Sequence, residues 1–440
     1  MWWIKRKGMK KLLFIIMPVF FYVNAFSQRL TLPDAVNIAL KNSLGVQIAK
    51  NNVDIATVNN NYGIAGGLPK VDATGLDQEQ VTNITQQYSN PANNKSSTGV
   101  SSNSLAANLN ASQLLFNAGR VQDTKKRLDV TESQSKQLFS SKELAVIYNV
   151  MLKYYDIIRQ QSYAKTLQES IDVSQQKLDI VKTQQSVGMA NNADLFQSEV
   201  DLNTQVQNYQ AQQLVISQDK TDLLSLLTLN PDSAIVIEDS IAVDSTLKLD
   251  SILNTIASNP DIVAADQQIV IDQYISKETS AQRYPSIGLE GLYGFSRTQN
   301  SAGFSLLNQN YGPYLGVNVT VPIFNGGVYR TEERIADINT KNAALTKDTM
   351  VLGYSANVIK SWQAYQNNLQ QLQTALRNDS LSLQLLDIVI KRFRLRQATI
   401  VDVKNAQQSF EDAEFSLINI SYAAKVAEIQ LRRYANRLRF

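Results

Sequence analysis

One short run that alternates like a strand and then changes at once to a helical period occurs twice. Positions 105–119 read LAANLNASQLLFNAG and positions 313–327 read PYLGVNVTVPIFNGG. Phe116, Asn117 and Gly119 in the first copy answer to Phe324, Asn325 and Gly327 in the second, at an offset of 208. Each copy puts apolar side chains on one strand face, then passes into a very long pattern with a repeat near three and a half residues. A chain that does this twice is two copies of one unit, so its 440 residues are read as one body built from two halves.

The first long pattern runs from Ala118 to Gly188, with no Gly or Pro between Gly119 and Gly188, and the second from Val328 to about Arg396. At 1.5 Å per residue each helix spans roughly 100 Å. In the second, Val358, Trp362, Tyr365, Leu369, Leu372 and Leu376, continued by Leu383, Leu386, Ile390 and Phe393, give a four-three seam; Leu144, Ile147, Met151, Tyr154 and Ile158 do so in the first. Such a period predicts left-handed coiled coils. Asn149-Val150 recurs as Asn357-Val358, and Leu178 to Val181 recurs as Leu386 to Val389, at the same offset of 208. Both helices then turn back, at Gly188 and Asn191-x-x-Asp194 and at Arg396 and Thr399-x-x-Asp402, into returning helices that end near Thr228 and Tyr434.

Four strands are expected, at about 68–77, 105–116, 285–296 and 313–324, with the polar stretches 78–104 and 298–310 as surface loops. They could be two hairpins of a soluble sandwich, yet four strands close no barrel alone. Each strand pair follows a helix: one opens at Thr31 with Asp34 in capping-box position and runs to about Tyr62, the other opens near Leu249. The division expected is 28–228 for the first repeat, 229–250 for a linker outside the bundle and 251–440 for the second repeat.

Lys5, Arg6, Lys7, Lys10 and Lys11 precede an apolar run and Ala25-Phe26-Ser27, the order of a secretory signal over 1–27; the apolar run is short for a membrane anchor. Removing those five charges leaves 37 basic against 39 acidic residues, a balance that gives nucleic acid no footing. Cysteine and histidine are both absent, which excludes disulfides, thiol nucleophiles and every His-containing triad or metal site. No Gly-rich phosphate loop is present, so no nucleotide or other cofactor is expected. Carboxylate-only hydrolysis stays open, but Asp and Glu lie mostly within the helical patterns.

The order of these features resembles the TolC family of outer-membrane efflux proteins, through the Leu32-Pro33-Asp34-Ala35 helix opening, two strand pairs, Phe-Asn-x-Gly before each long helix, and a turn followed by Asp at each helix end. The resemblance covers essentially all of the chain after residue 27. It implies an α+β membrane protein: a long antiparallel coiled-coil cylinder, plus four strands per protomer completing a trimeric twelve-stranded β-barrel. It implies an exit duct in the cell outer membrane that extends into the periplasm and meets a periplasmic adaptor and an inner-membrane transporter of an efflux or type I secretion system. It also implies a pore constriction at Asp402, with Asn405 where a second Asp can stand, and a closing contact at Asp194 whose partner positions hold Phe393 and Ala398. Local capping is the competing role for both Asp residues, and Gly119 and Gly327 are expected to serve the strand-to-helix bend. A stand-alone porin, or a surface coiled-coil protein, shares the barrel and heptads without needing equal helices.

Overall fold

The computed structural model describes residues 28–303 and 305–438; the signal expected over 1–27 lies outside them. In chain order the elements are β1 (Gln28–Arg29), α1 (Leu32–Asn42), α2 (Leu44–Asn59), β2 (Lys70–Gln86), β3 (Lys95–Phe116), α3 (Arg120–Ser186), α4 (Asn192–Leu226), β4 (Ile235–Val236), α5 (Leu249–Leu253), α6 (Pro260–Ala281), β5 (Ser286–Asn300), β6 (Leu307–Thr320), α7 (Val328–Arg394) and α8 (Ile400–Tyr434).

The two halves match to the residue along their long helices and the returns. α3 and α7 each have 67 residues, and α4 and α8 each have 35. At 1.5 Å per residue the long pair extend about 100 Å. The first helix, expected as one element to Tyr62, is broken at Ser43, whose hydroxyl caps Val46 N. Its counterpart is broken too: α5 ends at Leu253 and α6 begins afresh at Pro260, with Asn259 accepting from Asp261 N at 3.1 Å.

β2, β3, β5 and β6 form one antiparallel sheet in that order. Its register lines up Val71, Ala111, Gly291 and Leu315 in one row, Ala73, Leu109, Tyr293 and Pro313 in the next, and Gly75, Ala107, Phe295 and Tyr311 above. One face is therefore apolar across all four strands, although Leu315 is 74% exposed. The other face carries Asp72 bonded by Asn110 at 2.9 Å, and Glu290 facing Asn318.

Both strand pairs differ from their expected bounds. Most of 78–104 is ladder rather than loop: β2 reaches Gln86 and β3 starts at Lys95. Likewise β5 continues to Asn300 and β6 begins at Leu307. Backbone pairing needs no apolar alternation, so a strand with polar residues on both faces leaves no period-two trace. At the other end β6 stops at Thr320, leaving Val321 and Ile323 beyond the ladder; Pro322 has no N–H to give.

The seam of α7 also differs. Val358, Ser361, Tyr365, Asn368, Leu372, Ala375, Asp379, Ser382, Leu386, Val389 and Phe393 are buried or half-buried in an unbroken three-four alternation, and Trp362, Leu369 and Ile390, expected in the seam, are half-buried against the same clusters. Leu376 and Leu383, expected in it, are 54% and 53% exposed. These two lie one position past Ala375 and Ser382, on a second face of the helix. In α3 the seam falls as expected, with Leu144, Ile147, Met151, Tyr154 and Ile158 buried; in α8 Phe410, Ala424, Ala427 and Leu431 are buried.

Around the middle of the bundle, residues 229–250 pack on the helices. Ile235 and Ile237 are buried with α1, α3 and α4, while β1 pairs with β4 in parallel. Two tyrosines fasten this segment. Tyr154 donates to Asp239 and sits 3.0 Å from the Leu30 carbonyl, and Tyr365 donates to the Asp244 carbonyl. α3 and α8 are joined by cation–π contacts, Arg433 over Tyr148 at 4.5 Å and Arg159 over Tyr422 at 4.4 Å.

Candidate functional site

At the strand-to-helix junctions both long helices start from a glycine in the left-handed region, Gly119 at φ 85° and Gly327 at φ 84°. A side chain there would be strained even though the space is open, so the glycine is a backbone requirement. Asn117 Oδ1 accepts from Val121 N at 3.3 Å and the Asn325 carbonyl accepts from Val328 N, each satisfying a free helix-start donor. Phe116 is the last residue of β3; Phe324 lies past the end of β6 and is exposed.

At the opposite end the two tip turns share one geometry. Met189 N donates to the Gln184 carbonyl at 2.7 Å, and Gln397 N to the Arg392 carbonyl at 2.8 Å, closing each helix with a left-handed residue in between. That residue is Gly188 at φ 75° in the first and Arg396 at φ 63° in the second. Arg396 takes the glycine conformation and uses its side chain elsewhere: Nη2 donates to the Met189 carbonyl at 3.0 Å, tying one tip to the other.

Each returning helix begins with a cap. Asn191 Oδ1 accepts from Asp194 N at 2.8 Å, and Thr399 Oγ1 accepts from Asp402 N at 3.2 Å. Asp402 returns the bond, accepting from Thr399 N at 2.7 Å and from its hydroxyl at 2.8 Å, a complete capping box. These bonds hold the Asp402 carboxyl below the usual aspartate range. Asp402 is nonetheless exposed, as is Asn405 one turn on.

Asp194, Phe393, Arg396 and Ala398 line one cleft of about 330 Å³ at the tip, so the structure brings the expected closing positions together. Phe393 fills an apolar cluster with Val181, Leu386, Val389, Val403 and Phe410. The polar ties within and between the helix pairs lie higher up. Lys177, almost wholly buried, meets Asp201 at 2.5 Å, and Lys404 approaches the same carboxylate at 3.4 Å. Gln407 donates to Ser174 at 3.1 Å, and Gln205 donates to Glu411 at 2.9 Å. Nothing in the motifs pointed to these residues; the signal available was a lysine and a glutamine at positions where the heptad wants apolar side chains.

Paired sheet, paired tips and two helices of equal length define the class: this is the fold of the TolC-like outer-membrane channels. CmeC of Campylobacter jejuni, an outer membrane channel, superposes with a TM-score of 0.74 at 18% identity, over 92% of this chain and 85% of that one. The outer membrane protein VceC from Vibrio cholerae does so at 0.75 and 16%, over 92% and 95%. The family is then met in the sequence itself: the outer membrane efflux protein family matches residues 252–437. The outer membrane protein TolC of Vibrio cholerae is 23% identical over 348 residues, covering 75% of this chain and 76% of that protein. The resemblance expected from the sequence holds, to a family of channels rather than of enzymes. Among the described residues no helix is long and apolar enough to cross a membrane, and no cluster of acidic residues could hold a metal ion.

Proposed function

We propose that this chain is a passive exit duct in the cell outer membrane, serving a tripartite efflux or type I secretion system and catalysing no reaction. The observation that carries this is the sheet. Among the described residues its edge strands β2 and β6 have no neighbour on their outer sides, and one face is apolar and exposed across all four strands. In lipid such edges must be paired, and symmetric association of three protomers pairs each β6 with the next β2 to close twelve strands. The helices then cross the periplasm, and their tips meet a periplasmic adaptor bound to an inner-membrane transporter, which supplies the energy.

On this reading 28–228 and 251–440 are the two structural repeats and 229–250 the equatorial segment, after a signal peptide at 1–27. Asp402 and Asn405 line the pore at the tips. The cleft of Asp194 and the Arg396 contact hold the end narrow, and the turns at Gly188, Asn191 and Thr399 set its shape. The junctions at Asn117, Gly119, Asn325 and Gly327 mark where each chain leaves the lipid.

Fractionation with outer membranes, migration as a trimer after mild detergent extraction, and conductance in planar bilayers are the expected results. A soluble monomer would overturn the proposal.

A further inference from the structure

The α7 seam described above has one charged member, Asp379. Its lateral partner on α8 is Glu414, in side-chain hydrogen-bonding contact with it. Ionised carboxylates only accept, so a bond between two of them requires a proton on one. Asp379 Oδ1 is buried and receives no hydrogen bond from any N–H or hydroxyl among the described residues.

Glu414 is wedged where three helices meet. From α7 it faces Asp379; from α3 it faces Glu169 and Lys165. On its own helix Glu411 lies one turn earlier, engaged by Gln205 of α4 and by Gln407. Lys165 is the one cation among these groups, and it is exposed and 3.8 Å from Glu169. The site therefore holds more carboxylate than positive charge, in a place only partly open to water. Burial, and next the bond and charge of Asp379, push the Glu414 carboxyl up to about 7.

We propose that Asp379 and Glu414 share one proton across the α7–α8 seam, and that losing it to water loosens this helix pair from α3. When the pair separates and is solvated, Glu414 returns to the ordinary carboxylate range. The packed form therefore binds the proton more tightly than the loosened form. Packing is strongest below that range, weakens as pH rises towards about 7, and changes no further above it. If the chain is the exit duct proposed above, its periplasmic end opens more readily at neutral than at acid pH.

Two measurements on the full-length protein in lipid test this. An infrared titration should show a protonated-carboxyl carbonyl band at pH 6 that is lost by pH 8.5 and is missing from Glu414→Gln. Because the chain has no cysteine, nitroxides on Gln168→Cys in α3 and Ser416→Cys in α8 report the separation of those helices alone. The ratio of longer to shorter distances should rise at least about tenfold from pH 5 to pH 8, and Glu414→Gln should remove the change. An equal band in Glu414→Gln, or identical distance distributions at the two pH values, overturns the proposal. Neither readout requires the protein to conduct, so failure of the duct reading would show separately in fractionation and bilayer recordings.

Discussion

Arg396 Nη2 donates to the Met189 carbonyl across the two tips, from a residue whose own backbone sits at φ 63°. The bond and the strained backbone belong to the same side chain, and substitutions separate them. Arg396→Ala loses the bond and keeps the strain; Arg396→Gly loses the bond and relieves it. The glycine variant should therefore be more stable than the alanine one by about 1 kcal/mol, read by denaturant unfolding. Equal midpoints would mean that the turn relaxes on its own.

Asp402 caps α8 and is proposed above to line the pore. Asp402→Asn keeps an acceptor for Thr399 N but removes the charge, whereas Asp402→Ala removes both. If both roles are real, the two variants lose cation preference alike in planar bilayers, and only Ala frays the start of α8, read by hydrogen exchange. The carboxyl is held below its ordinary range, so its contribution is present above that range and is lost as pH falls through the lowered value.

Lys177 and Asp201 form the most buried ion pair near the tips, with Lys177 side chain 1% exposed. Burial raises the Asp201 carboxyl, but the bonds from Lys177 and Gln197 outweigh it and leave the group lowered. Its stabilising effect is thus present above the usual aspartate range and fades as pH falls below it. Lys177→Met should cost about 3 kcal/mol at pH 7, since Asp201 then keeps a buried charge with only Lys404 nearby, and should flatten the acid limb of the stability profile.

Tyr154 is fully buried, and its hydroxyl serves both Asp239 and the Leu30 carbonyl. Burial above all, and then Asp239, keep that hydroxyl protonated far above its ordinary range. Tyr154→Phe removes the one hydroxyl proton these two acceptors share, at a cost of about 1–3 kcal/mol. Limited proteolysis should then cut within 229–250 faster than in the parent chain.

Leu315 lies on the apolar face of the sheet, at the β6 end of its row, while Asn318 lies on the other face. Leu315→Arg should cost about 2–4 kcal/mol of barrel stability if that face meets the bilayer midplane, and Asn318→Arg far less. Heat-modifiable mobility of the assembled protein would separate the two; equal effects would place the sheet out of lipid.

What could be read from the residues was whatever leaves a periodic apolar trace, both long helices, their returns and the seam of α3, together with the left-handed glycines at the junctions. What could not be read has physical reasons. The outer halves of β2 and β3 pair through backbone alone and look like polar loop. In α7 two apolar stripes run side by side, and the larger residues Leu376 and Leu383 hide the true seam at Ala375 and Ser382. Arg396 showed that a glycine position can be filled by another residue when its side chain finds a partner. Asp402 carries a cap that its spacing announced, whereas the Lys177, Asp201 and Gln407 ties depend on which helices become neighbours, a matter of tertiary packing.

The matching lengths of the four principal helices restrict how this chain can change. Removing seven residues from α3 alone would leave α7 a full heptad longer, so Arg396 would pass Met189 by about 10 Å. Balanced deletions, one heptad from each of the four helices, would shorten the body and keep both turns level. Insertions and deletions in this chain are thus tolerated as matched sets, and the reach of the bundle is inherited in steps of whole heptads.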